Sequence, residues 1–245
     1  MNNASVSFRL IAHRGAPMRA PENTLASFRS ARELGATEIE TDVQLTTDGV
    51  LVLCHDDTLR RYGHGDRPVE SCPYAGEGGL AALDFGAWFS PEHAGERIAT
   101  LDALIDAHAR DFVFHIELKG AHERLAAETI ALLGARGVMD RCVLTSFSYD
   151  QLARARKVAP RARLGWLVKQ FDDAAISGAM ELGLFQLCPV ASSVTSERVE
   201  AARRVVAEVR AWGCPREAEE ARRAARRLAE AGCVGLTVDE PGWFA

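Results

Sequence analysis

Nowhere in the 245 residues does an uninterrupted apolar run approach the roughly 20 residues that a helix needs to cross a bilayer. No membrane insertion is expected. A basic excess is missing too: 29 Lys and Arg stand against 34 Asp and Glu, a formal charge of −5, which leaves no positive stripe for nucleic acid. The six cysteines (Cys54, Cys72, Cys142, Cys188, Cys214, Cys233) form no C-x-x-C pair, so neither a zinc site nor a disulfide framework is expected. The chain reaches strand-like sequence by Phe8 with no basic-then-apolar leader pattern, and it shows no internal repeat. These absences describe a protein of the reducing cytoplasm, residues 1–245 as one domain, acting on a small molecule, with homo-oligomerisation left open.

What the chain does have is a regular alternation of strand-like and helix-like segments. Phe8 to Ala12 reads as a strand, Leu25 to Leu34 as a helix closed by Gly35, and Glu38 onward as a second strand. Asp48-Gly49 signals a hairpin, returned by Val50 to Cys54. From about 57 to 98 the alternation lapses into Gly- and Pro-containing text with an aromatic cluster at 84–90, which reads as an insertion. It then resumes: helix 101–108, strand 112–119, helix 122–135, strand 141–145, helix 148–158, strand 162–167, helix 172–181, strand 184–188, helix 195–203, strand 204–211, helix 216–231 and strand 234–238. About eight β/α units suit a (β/α)₈ barrel, although doubly wound sheets alternate too.

The chemistry collects in Glu38 to Asp56. Alternate side chains of a strand share a face, so Glu40 and Asp42 point together, and the hairpin returns His55 beside them. In strand 112–119 the same parity puts His115, Glu117 and Lys119 on one face, far too polar for an ordinary core. A barrel carries its active site at the C-terminal ends of its strands. His13-Arg14, Glu40 with Asp42, and Glu117 with Lys119 all fall at that rim. Three carboxylates make an oxygen cage for a hard cation, Mg²⁺ or Ca²⁺. Arg14 and Lys119 add charge for an anionic substrate, and His13 and His55 can pass protons near neutral pH. Glu38 shares the acid face but lies toward the closed end and is left out. His115 reads as a satisfied core histidine or a support to the metal ligands. Asn23 and Thr24 read as helix caps, Asp239 before Pro241 as a turn cap, and the four tryptophans as core.

One ordered set of motifs is more specific: H-R-G (13–15), P-E-N-T (21–24), E-x-D (40 and 42), T-T-D-G (46–49), H-D (55–56), A-G-E-R-I-A-T-L (94–101), I-E-L-K (116–119), S-F-S (146–148), Trp212 and D-x-P (239–241). In this order it resembles the glycerophosphodiester phosphodiesterase family, from about residue 10 to the end. The resemblance implies a TIM barrel with a small insertion after the second-strand hairpin, and a divalent cation at Glu40, Asp42 and Glu117. It further implies His13 and His55 as the acid/base pair, with Arg14 and Lys119 at the phosphate and Trp212 beside the substrate. Three positions depart from it. Tyr62-Gly63-His64-Gly65 follows Arg61 where the family often has Thr-Thr-Asn-Gly, His115 stands where Asn is common, and Trp212-Gly213-Cys214-Pro215 replaces W-T-V-N.

The expected reaction is hydrolysis of a glycerophosphodiester to sn-glycerol 3-phosphate and an alcohol. Which histidine is the acid, and whether the glycerol 2-hydroxyl or water attacks, both stay open. The alternatives are a lysophospholipid or phosphoinositide phosphodiesterase on the same barrel, or a non-catalytic barrel that binds a phosphate ligand.

Overall fold

The computed structural model describes residues 8–244. Among them, eight parallel strands close into a barrel: β1 (Arg9–His13), β2 (Glu38–Leu45), β4 (Val113–Leu118), β5 (Cys142–Ser146), β6 (Leu164–Val168), β7 (Gln186–Pro189), β8 (Glu208–Ala211) and β9 (Gly235–Val238). Each pairs with the next in chain order, and β1 closes the ring by pairing with both β9 and β2. The short β3 (Leu51–Leu53) runs antiparallel to β2, with Val43 opposite Leu53. Seven α-helices follow the strands: α1 (Leu25–Glu33), α2 (Leu101–His108), α3 (Leu125–Ala135), α4 (Tyr149–Val158), α5 (Asp173–Glu181), α6 (Ser196–Ala202) and α7 (Ala218–Glu230). After β9 stands a 3₁₀ turn, Pro241–Phe244, in place of an eighth helix. None of these helices is long and apolar enough to cross a membrane.

The strands are amphipathic in an inverted sense. Ile39 and Val43 of β2, Phe114, Ile116 and Leu118 of β4, Leu187 of β7, and Leu236 and Val238 of β9 join one cluster with Phe28, Ala31, Leu104, Leu125, Leu152 and Leu228 of the helices. Burying each large member contributes roughly 1.5–3 kcal/mol, so the helix–strand layer carries the fold. The alternate positions face the barrel interior and are largely charged or polar. Near the closed end Arg9 meets Glu38 at 3.4 Å and Glu208 at 2.6 Å, and His115 meets Glu38 at 2.8 Å. Gln186 donates to Glu208 at 2.9 Å, and Arg210 donates to Gln186 at 3.1 Å and to Thr237. A barrel interior is ordinarily filled by branched apolar side chains, so this one is built around charge.

Helix starts follow their capping residues. Thr24, Thr100, Ser148, Asp172 and Thr195 each accept a hydrogen bond from the backbone N–H three residues on. Element ends differ from the sequence expectation by at most four residues, and α2 coincides with it at both ends. The largest change is at β8, which begins at Glu208 and not at 204, because Arg203 to Val206 still turn off the end of α6 through backbone bonds to Val199, Ala201 and Ala202.

Between β3 and α2, four short 3₁₀ turns surround a separate apolar cluster of Val52, Cys54, Leu59, Tyr62, Val69, Cys72, Leu80, Phe85 and Ile98. Tyr62, at the site of the altered motif, packs on Phe85 at 4.6 Å between ring centres, with Trp88 edge-on at 5.8 Å.

Candidate active site

The barrel mouth opens on a cavity of about 390 Å³ lined by His13, Arg14, Glu40, His55, Glu117, Lys119 and Trp212 among others. Asp42 lies just beneath, fully buried. The register explains the convergence. Asp42 is level with Glu117 across the β2–β4 pair, and Glu40 is level with His13 across β1–β2. Glu40, Asp42 and Glu117 each offer an oxygen, all within 4.8 Å of one another. Oε2 of Glu40 and Oδ1 of Asp42 are buried and accept no hydrogen bond. Buried carboxylate oxygens without donors are costly, and a cation relieves that cost. The three acids therefore fit a divalent ion.

Their charges act on one another. Burial first, then Asp42 and Glu117 close by, push Glu40 well above the usual carboxylate range. Burial and the Asp42 charge raise Glu117 to about 7 against the pull of Lys119. Burial acts upward on Asp42 as well, but Arg14, His55, Lys119 and the Asn23 hydrogen bond together hold it below its ordinary value. Such a cluster keeps its full negative charge best with a cation in its midst.

The loop after β1 is shaped to deliver Arg14. Its backbone takes the left-handed conformation (φ +53°), which costs a non-glycine residue about 1–2 kcal/mol. That geometry is held by Arg14 N–H donating to the Glu40 carbonyl at 2.9 Å, and by the Arg14 carbonyl accepting from Asn23 N–H at 3.0 Å and Ser27 Oγ at 2.9 Å. Gly15 follows at φ +91°, where an added Cβ would lie 2.4 Å from Ser27 Oγ. The Arg14 guanidinium pairs with Asp42 and Glu22, each at 3.0 Å, and Lys119 Nζ stands 3.2 Å from Glu117 and 3.9 Å from Asp42.

Both histidines are held through Nδ1. His13 Nδ1 is 2.6 Å from Asp239, which leaves Nε2 on the Glu40 side at 3.8 Å. His55 Nδ1 is 2.8 Å from Asp56. Burial lowers the pKa of His55, although Asp42 opposes the shift. A second acidic group, Glu22 with His55 and Asp56, also brings ligand atoms within 4.8 Å. Its cation is already present as Arg61, which meets Glu22 at 2.9 Å and grips Asp56 through two nitrogens. That group is an ion-pair scaffold behind His55.

Two sequence expectations need correction. Asn23 does not cap α1; Thr24 does. Asn23, itself left-handed at φ +59°, donates from Nδ2 to Asp42 at 3.0 Å and accepts from Thr41 at 2.8 Å, so it fixes an acid of the site. Asp239 is not a turn cap but the partner of His13. Glu22 and Arg61 were also missed. Trp212 does reach the cavity, edge-on to Phe147 at 5.1 Å, with its Nε1 buried and unpartnered. Glu38 and His115 lie bonded to each other near the closed end and do not line the cavity.

Residues 13–243 match the glycerophosphoryl diester phosphodiesterase family. The chain belongs to this family. A glycerophosphodiester phosphodiesterase of Caldanaerobacter subterraneus subsp. tengcongensis is 31% identical over 236 residues, 95% of this chain and 94% of that one. Among solved structures, an Oleispira antarctica phosphodiesterase in complex with the product sn-glycerol-3-phosphate superposes with a TM-score of 0.86 at 29% identity, covering 96% of this chain and 94% of that one. A glycerophosphodiester phosphodiesterase of Agrobacterium tumefaciens gives 0.82 at 26% identity, covering 97% and 98%. This chain is thus a phosphodiesterase of the glycerophosphodiester class, on the TIM barrel its relatives share.

Proposed function

We propose that the enzyme hydrolyses sn-glycero-3-phosphodiesters to sn-glycerol 3-phosphate and an alcohol, with Mg²⁺ or Ca²⁺ held by Glu40, Asp42 and Glu117. The observation that carries the metal is the trio itself, three carboxylates within 4.8 Å, with one oxygen of Glu40 and one of Asp42 buried and without a donor. A hard divalent ion bound there would supply Lewis acidity and neutralise phosphate charge. Arg14 and Lys119, adjoining the trio, hold the phosphate from the same side. His13 and His55 are the acid/base pair. Asp239 and Asp56 each engage an Nδ1, which turns both Nε2 atoms to the substrate and fixes the rings. Trp212 and Phe147 give the carbon skeleton an apolar wall. A cytoplasmic setting belongs to the same proposal, supported by six free thiols.

Choline release is measured from glycerophosphocholine beside lysophosphatidylcholine, with glycerol 3-phosphate followed as the co-product of the first, in Mg²⁺, Ca²⁺ or excess EDTA. Turnover of the diester, its abolition by chelator and its return with metal are expected. Replacing His13 or His55 by Ala should lower kcat by about 10² to 10⁴ with the fold intact. Full activity in EDTA would remove the metal, and preference for the lysophospholipid would move the enzyme to the sibling reaction.

A further inference from the structure

The cations around the cavity fall into two groups with different charge balance. On the β1–β4 side each is answered by acids: Arg14 by Asp42 and Glu22, Lys119 by Glu117 and Asp42. Opposite them stand Lys169 after β6 and Arg216 beyond β8, with Arg210 of β8 buried deeper in the barrel, all lining the same cavity. Among the described residues Lys169 and Arg210 have no carboxylate within the 4.0 Å of an ion pair. Arg216 does meet one, Asp239 at 3.3 Å, but that acid is already bonded to His13.

Arg210 is the built part of this wall. It is only 1% exposed, and its donors are spent on neutral partners: Gln186 at 3.1 Å, the Thr237 hydroxyl, and the Cys188 sulfur at 3.6 Å. Its charge reaches Glu38 and Glu40, but no carboxylate pairs with it directly, and these neutral bonds hold it in place for an anion that arrives from outside. There is room for one. A second hollow of about 450 Å³ shares Phe147, Leu167 and Lys169 with the cavity and continues outward along α5. The acid within that hollow, Asp172, is engaged with the Ala175 N–H at 2.9 Å as the helix cap. The aromatic wall does not make a cation box, because Lys119 already lies 5.8 Å from the centre of the Phe147 ring.

We infer that the β6–β8 wall of the cavity is a second anion subsite, which selects diesters whose head alcohol carries its own negative charge. This rests on the diesterase reading above. With the reacting phosphate drawn to the acid-cluster side, the head alcohol extends toward Lys169, Arg210 and Arg216. A phosphate or carboxylate on it completes their charge, whereas a quaternary ammonium is repelled.

The test uses a matched pair, glycerophosphoinositol and glycerophosphoinositol 4-phosphate, with glycerophosphocholine as the cationic head. The phosphorylated substrate should exceed its neutral parent in kcat/KM by about tenfold and the choline ester by more, as expected for a few incompletely screened charges. The advantage should shrink as salt rises from low to physiological. Lys169→Glu, an exposed change that leaves the core intact, should cut the phosphorylated-to-neutral ratio by about tenfold. Arg210→Met, checked for folding by circular dichroism, should cut it as well. Hydrolysis of all three with a ratio near one, or a ratio that Lys169→Glu leaves unmoved, overturns the subsite alone. No hydrolysis of any of them overturns the diesterase reading and the subsite with it.

Discussion

Strand β2 presents three acids to the barrel interior at every second residue, and the first two of that row have different environments. Glu38, at the closed end, is bonded to His115 at 2.8 Å and paired with Arg9 at 3.4 Å. Burial acts to raise it, but the His115 bond and the charges of His115, Arg9 and Arg210 hold it below the ordinary carboxylate range. Glu40, two residues on, has an oxygen with no donor and is pushed far the other way by burial and by Asp42 and Glu117. Residue type, strand, face and degree of burial are the same. An acid whose partners are supplied by the fold is part of the structure, and an acid crowded against other acids awaits a partner from solution.

Exchanging charge for amide at the two positions separates these roles most sharply. Glu40→Gln should lower kcat by about 10³, since losing one ligand removes several kcal/mol of charge stabilisation at the phosphate. Its metal affinity, read by calorimetry, should fall in parallel while the melting temperature holds or rises, because a repulsive buried charge is gone. Glu38→Gln should do the opposite, with kcat and metal affinity near wild type and about 1–2 kcal/mol of stability lost from a broken charge-assisted bond. If Glu38→Gln abolished activity in a folded protein, the division between the two positions would fail.

A smaller effect is expected at Asp239, which touches neither the acid trio nor the phosphate in the proposed reading and acts through His13. Asp239→Asn should reduce kcat by about 10²-fold through loss of ring orientation and tautomer control, with KM little changed. A rise in KM at constant kcat would instead place Asp239 on the substrate.

The contrast along β2 was half legible in the sequence. Period-two alternation puts Glu38, Glu40 and Asp42 on one face, and position along the strand separates the first from the others. The same parity, with position late in the strand, puts Glu117 and Lys119 at the rim, and the barrel count follows from the alternation of strand and helix segments. What alternation cannot give is contact between segments distant in the chain. Asp239 lies 226 residues from His13, and Asn23 lies 19 residues from Asp42 in a loop whose two left-handed residues no propensity predicts. Both read as caps because Asn and Asp usually cap. Arg61 was seen only as the start of an altered motif, since its grip on Glu22 and Asp56 requires the insertion to fold back over the mouth. The polar lower barrel was hidden for another reason: Glu208 and Arg210 fell in a segment read as an ordinary strand, where alternating charges suggest a solvated face.

The paired extreme of the comparison is Asp48, on the turn between β2 and β3. Its carboxylate accepts from Tyr74 N–H at 2.8 Å, Thr46 Oγ1 at 2.7 Å and Ala75 N–H at 3.1 Å, tying the insertion to the barrel. Those bonds, the Tyr74 amide foremost, hold its pKa down to about 2. A carboxylate lowered in the folded state stabilises fully above its unfolded value near 4, and that contribution is lost as pH falls through about 2. Asp48→Ala should therefore lower the melting temperature at neutral pH by about 2–4 °C, a modest loss for a chain of this size. The gap from wild type should narrow as pH is brought from 4 toward 2, and activity at pH 7 should be kept. Because Asp48 finds all its partners within the fold, added Mg²⁺ or Ca²⁺ should leave that gap unchanged; for Glu40→Gln the same ions should stabilise wild type far more than the variant, and equal stabilisation of both would place the ion elsewhere.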